Sequence, residues 1–145
     1  MSIAERQREI VEEFELFDDW MDKYEHIIEL GKELPLIDPS LKDDEHKIRG
    51  CQSQVWLNAE SEDGRVRFTA DSDAVITKGL ISLMVRVLDG LPAAEIAQAD
   101  MDFVKDIGLY EHLSPTRSNG LRSMVNRMKL YGISEVAKQN STEGE

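Results

Sequence analysis

Cys51 is the only cysteine among 145 residues, and it lies in Gly50-Cys51-Gln52-Ser53-Gln54-Val55-Trp56. A single thiol forms no internal disulfide and supplies too few thiolates for a zinc or iron–sulfur site. Two chemistries remain open for it. Free cysteine is often a small buried apolar side chain; alternatively it is a nucleophile presented on a loop. The neighbours lean toward presentation. Gly50 frees the backbone just before the thiol. Gln52, Ser53 and Gln54 make a polar lining that suits an inert core cysteine poorly. A strand-like run begins at Val55, so the thiol sits on a turn entering a strand. Lys47 and Arg49 are close enough in sequence to favour a thiolate.

Other chemical groups are sparse. His26, His46 and His112 are scattered, and none has metal-ligand spacing with Cys51 or with one another. His46 stands five residues before the thiol, a weak sign of a Cys/His pair, since folds rather than short spacings bring such pairs together. No phosphate-binding glycine loop or dinucleotide fingerprint is present. Asp71 and Asp73 sit where carboxylates commonly cap a helix. Between His112 and Ser134 the chain carries Arg117, Arg122, Arg127 and Lys129 without an acid. That stretch is either a solvated helix face or a local positive patch, with Arg117 able to face an anionic sulfur species.

These groups need a frame, and the length suits one domain. Hydrophobic residues make up 41% of the chain, enough for a core, and formal net charge is −12 from 29 acids and 17 bases. Such acidity repels phosphates and argues against nucleic-acid binding. It favours a partner with a basic docking face. Nine acids and three bases fall in the first 25 residues. The start has no apolar signal-like region, and Lys78 and Arg86 interrupt the longest apolar stretch, so neither a signal peptide nor a membrane span is expected. A lone cysteine fits a reducing compartment, and the expected location is the cytoplasm.

Apolar periodicity predicts a first helix over Ile3 to Phe17 and a second that carries Trp20, Tyr24, Ile27 and Ile28, capped by Asp18 or Asp19 and ending at Gly31. Leu34 to Lys47 has no period and reads as a long loop leading to Cys51. Alternation over Val55–Ala59 and Val66–Ala70 around Asp63-Gly64 predicts a hairpin. A short third strand is expected around Lys47–Arg49. Asp71-Ser72-Asp73 should open a third helix, closed by Gly90-Leu91-Pro92, with short helical turns at Ala93–Ala97 and Met101–Ile107. Ser114 and Pro115 should start the last long helix. The expected architecture is α+β, helices against one small antiparallel sheet, with residues 1–138 as a single domain and 139–145 as a frayed polar tail.

Three blocks carry a family likeness: Gly50 to Leu57; Ala70 to Ala74 with Lys78-Gly79-Leu80; and Leu113-Ser114-Pro115-Thr116-Arg117-Ser118-Asn119-Gly120-Leu121. In their order and spacing the chain resembles the SufE-like sulfur acceptors, the SufE and CsdE proteins. The likeness runs over nearly the whole chain. It implies a fold shared with IscU-type iron–sulfur scaffolds. It also implies acceptance of persulfide sulfur on Cys51 from a cysteine desulfurase of the SufS or CsdA kind. That enzyme carries pyridoxal phosphate; the acceptor needs no cofactor or metal of its own. The acceptor would stimulate the desulfurase and hand sulfur to an iron–sulfur scaffold or another acceptor, without turning over alone. Asp73 and Arg117 match positions near the active loop and partner-facing surface, beside Gly50, Gln52 and Ser53. The three cysteines of IscU-type scaffolds are missing, which disfavours cluster assembly. The rival reading is a regulator that binds the desulfurase without carrying sulfur. Motion is a further expectation: Cys51 packs inward at rest and swings out on docking, with Gly50 as hinge and Pro35 to Lys47 as slack.

Overall fold

Two helices open the chain in the computed structural model, which describes residues 2–143. Ser2 caps α1 (Ile3–Glu15), its hydroxyl accepting the Glu5 amide. Ile10 and Phe14 are buried on its inner face. The helix ends before the expected Phe17 because the Leu16 and Phe17 amides bond three residues back, tightening the last turn. Asp19, not Asp18, caps α2 (Trp20–Gly31), accepting the Asp22 amide at 2.9 Å.

β1 (Val55–Glu62) and β2 (Arg65–Ser72) form the expected hairpin, paired from Val55↔Ser72 to Glu62↔Arg65. Asp63 and Gly64 have φ of 54° and 79°, the backbone a tight two-residue hairpin turn demands. Val55, Leu57, Val66, Phe68 and Ala70 turn inward. The third strand differs from expectation. It is β3 (Leu91–Pro92), pairing with β2 at Arg65↔Pro92 and Val66↔Leu91. Lys47 makes only a single bridge to Trp56 on the outer edge of β1. The chain turns away there because Gly50 takes a left-handed φ of 89°.

α3 (Val75–Leu88) is the centre of the molecule, with ten of its fourteen residues buried. Each fully buried Leu or Ile there contributes about 1.5–3 kcal/mol. α2 crosses it at Gly79, where a Cβ would lie 2.7 Å from the carbonyl carbon of Ile27. The helix does not open on Asp71–Asp73 as expected: its N-cap is Ala74, with no side-chain cap. Three short helices follow, α4 (Ala93–Ala97), α5 (Phe103–Asp106) and α6 (Leu109–His112). Ser114 then accepts the Arg117 amide and starts α7 (Pro115–Glu143). Residues 139–143, expected in a frayed tail, continue α7; residues 144 and 145 lie outside the described residues.

The segment from 34 to 47 is tied down rather than slack. Ile37 donates to the Ala70 carbonyl and Ala70 to that of Pro35. Lys42 pairs with Asp71 at 2.6 Å, and Arg127 donates to the Glu45 carbonyl at 2.8 Å. These ties hold the segment against β2 and α7, so it does not supply the expected slack for the Cys51 span. The architecture is α+β, a small antiparallel sheet packed on helices.

Candidate active site around Cys51

The thiol sits on a span of five residues, 49–53, between two pinned ends. On one side the Ile48 amide donates to the Val55 carbonyl at 2.8 Å, and the Leu57 amide to that of His46. On the other, the Gln54 amide donates to Asp73 Oδ1 at 2.9 Å and its carbonyl accepts the Ser72 hydroxyl at 2.8 Å. Asp73 therefore anchors the span instead of capping α3. Carboxylate caps and carboxylate anchors look alike in sequence, and here the carboxylate accepts the Gln54 amide while α3 has no side-chain cap.

Cys51 is half-buried and turned toward α7. Its Sγ donates to the Gly120 carbonyl at 3.6 Å, a long and weak bond. A Cβ on Gly120 would stand 3.3 Å from that sulfur and 3.4 Å from the Cys51 Cα, so the absent side chain makes the seat. Two residues on, the Ser53 hydroxyl donates to the Thr77 hydroxyl of α3 at 2.9 Å. A cavity of about 230 Å³ lies beneath, lined by both hydroxyl residues, Cys51, Leu80, Arg117 and Met124 among others.

Burial pushes the Cys51 pKa up from its ordinary thiol value, with no cation offsetting it. The expectation that Lys47 and Arg49 favour a thiolate fails: Arg49 is exposed, and neither side chain lines the cavity. At neutral pH the resting thiol is protonated, the less reactive form. His46, the sequence's weak candidate for a Cys/His pair, does not line the Cys51 cavity; its Nδ1 bonds Asp43 Oδ1 at 2.7 Å.

Of the site residues expected from sequence, Cys51, Gln52, Ser53 and Arg117 line one cavity, with Gly50 beside them and Asp73 behind the anchored end. The rest of the basic stretch separates from it. Arg122 stacks over Tyr110 at 4.3 Å, and Arg127 is held by Glu45 and Tyr131. Sequence reasoning missed Thr77 and the seat at Gly120. Both carried a signal. Thr77 is a polar residue on an otherwise apolar helix stripe with Ile76, Leu80 and Met84. Gly120 is a glycine inside a helix, which costs stability unless something must come close.

A second cavity, about 640 Å³, contains more charge and no thiol. Its arginines are committed to the fold. Arg6 donates to the Val87 and Asp89 carbonyls, Arg65 to that of Gly90, Arg67 pairs with Glu62 and Asp89, and Arg86 with Glu13. Among the described residues, no cluster of His, Cys, Asp and Glu could hold a metal ion. Nor is any described helix long and apolar enough to cross a membrane.

The family model "SufE: Fe-S metabolism associated domain" matches residues 8–131, a span that includes the Cys51 loop and its seat on α7. The chain belongs to the SufE family. Its relatives include uncharacterized SufE-like proteins of Rhizobium etli, 44% identical over 126 residues, and Rhizobium meliloti, 42% identical over 126 residues. Those alignments cover 83% of this chain, with 85% and 90% of the respective relatives. "SufE-like protein 1, chloroplastic/mitochondrial" of Arabidopsis thaliana is 40% identical over 141 residues, covering 95% of this chain and 38% of the plant protein. A solution structure of a hypothetical protein from Thermus thermophilus shares the fold, with a TM-score of 0.75 at 19% identity over 91% of this chain and 96% of that one. The SufE domain ties the chain to iron–sulfur metabolism.

Proposed function

We propose that this SufE-family protein accepts sulfane sulfur on Cys51 from a pyridoxal-phosphate cysteine desulfurase, accelerates that enzyme, and passes the sulfur on for iron–sulfur cluster assembly. The observation that carries the reading is the lone thiol on a short, loosely tied span over a cavity, within the family's cysteine block. A reducing compartment such as the cytoplasm would keep that thiol free to react.

The step is an exchange at sulfur. Cys51 loses its proton and its thiolate attacks the terminal sulfur of the donor's persulfide. One S–S bond forms as another breaks, and the donor cysteine leaves as a thiolate that takes up a proton. No electrons are gained or lost overall. The resting geometry suits the start of this sequence. A protonated, half-buried thiol resists oxidants and small thiols. Docking then draws the span outward, where the sulfur ionises near the partner. If the outward state holds about 1% of the free population, the partner must supply about 2.7 kcal/mol of preference to bring the two positions level, and about 5.5 kcal/mol to make the outward one dominate.

The test is steady-state sulfide release by a desulfurase with wild-type protein or Cys51→Ser, alongside a binding measurement. Binding should survive, because a sulfur-to-oxygen change leaves the docking surface intact, while stimulation should vanish. A Cys51→Ser protein that stimulates fully is a regulator and not a carrier.

A further inference from the structure

We propose that Thr77 is a positioning residue for Cys51, its hydroxyl serving with that of Ser53 as the latch that holds the thiol in its seat. Among the described residues, the side chains of the span from 49 to 53 make two hydrogen bonds. One is the long thiol contact to Gly120. The other is Ser53 to Thr77 at 2.9 Å, between neutral groups at good distance.

Thr77 is 6% exposed, on the face of α3 that otherwise carries Ile76, Leu80 and Met84. A hydroxyl so placed loses water and needs a protein partner. Ser53 is that partner only while the span lies down on α3. When the span lifts, the contact breaks and the cavity opens to solvent. The latch therefore acts on the balance between the two positions, not on the stability of the helices below. Its strength suits a reversible device, because a net hydrogen bond between neutral groups is modest. The same hydroxyl would hold the span equally in the unloaded protein and after any group is added to the sulfur, provided the cavity has room. That consequence rests on the proposed sulfur transfer; the latch itself does not.

Alkylation of Cys51 by iodoacetamide in the free, full-length protein reads the latch directly, since no other thiol competes. Ser53→Ala and Thr77→Val should each raise the rate about three- to tenfold, the span expected from losing one neutral hydrogen bond. The double variant should react no faster than the faster single, because both changes remove the same contact. Thr77→Ser, which keeps the hydroxyl, should stay near wild type. A pH series should show the variants' curves lifted by a constant factor below the thiol pKa, as an opening pre-equilibrium requires. Wild-type rates in both singles, a double equal to the product of the singles, or equal acceleration by Thr77→Ser and Thr77→Val would each overturn the latch. If Thr77→Val does not fold, Ser53→Ala, with Thr77→Ser as control, still decides it. None of these rates involves a desulfurase, so the latch and the sulfur-transfer reading stand or fall separately.

Discussion

Gly79 and Gly120 are both helix glycines pressed against a neighbour, and the neighbours differ in what they can do. At Gly79 the neighbour is the backbone of α2: a Cβ would lie 2.7 Å from both the carbonyl carbon and Cγ2 of Ile27. Ile27 is fully buried in the middle of a helix and has nowhere to go. At Gly120 the neighbour is the Cys51 span, and the nearest atom is a sulfur at 3.3 Å. That span's side chains make two hydrogen bonds between pinned ends. The same missing methyl group makes a fixed joint in one place and a seat in the other. Tight packing alone does not distinguish them; what does is how many bonds hold the atoms across the contact.

Substituting the two glycines is the most direct way to break this comparison. Gly79→Ala forces two helix backbones apart and should destabilise by about 3 kcal/mol or more, at the upper end for overpacking. For a chain of this size that lowers the melting temperature by about 10 °C. An unchanged melt would mean that the α2–α3 crossing yields as readily as the loop.

Gly120→Ala should act differently. The helix gains about 0.5–1 kcal/mol of intrinsic propensity, which offsets the crowding, so the melting temperature should move little. The thiol, though, is pushed off its seat. Its alkylation rate in the free protein should rise about tenfold, equivalent to about 1.4 kcal/mol. A lower melting point with no change in alkylation would make Gly120 a joint like Gly79.

Acid and base should loosen the two regions in opposite senses. Burial raises the Glu13 pKa, but the hydrogen bonds and charges of Arg86 and His26 outweigh it and leave the net value lowered. A lowered carboxylate adds stability that is present at neutral pH and lost as pH falls below the ordinary carboxylate range. Glu13 ties α1 to α3 through Arg86 at 3.0 Å, so the rigid side weakens in acid. Cys51 is raised by burial, so its seated form keeps its advantage below the ordinary thiol pKa and loses it as pH rises through the elevated value. Denaturant midpoints against pH should show Arg86→Gln flattening the acid limb. Cys51→Ser should remove only a small slope at the alkaline end.

The smallest expected effect lies in the arginines of α7. Arg117 lines the Cys51 cavity, whereas Arg127 is spent on the Glu45 carbonyl and the Tyr131 ring. In a sulfide-release assay Arg117→Ala should reduce desulfurase stimulation more than Arg127→Ala. Equal losses would return the basic stretch to a solvated helix face.

Much of the frame was legible because its signals are local. Asp63-Gly64 between alternating runs specifies the hairpin, and Ser114-Pro115 specifies the start of α7. The cysteine block marked the loop. What stayed hidden depends on contacts distant in sequence. β3 is two residues long and exists only because β2 has a free edge for Leu91 and Pro92. Asp73 carries the sequence signature of a cap, and only the approach of Gln54 makes it an anchor. The thiol's raised pKa comes from a seat on α7, where Gly120 lies 69 positions along the chain from Cys51. No property of Lys47 or Arg49 read from sequence could reveal that neither charge offsets that burial.

The central claim is that Cys51 itself carries the sulfur. Peptide mass spectrometry of the protein after incubation with a desulfurase and cysteine, with free thiols blocked at quenching, tests it most directly. The account predicts a gain of about 32 Da per sulfur on the Cys51 peptide, released by reductant. Stimulated sulfide production with the Cys51 peptide unchanged at every time point would contradict it.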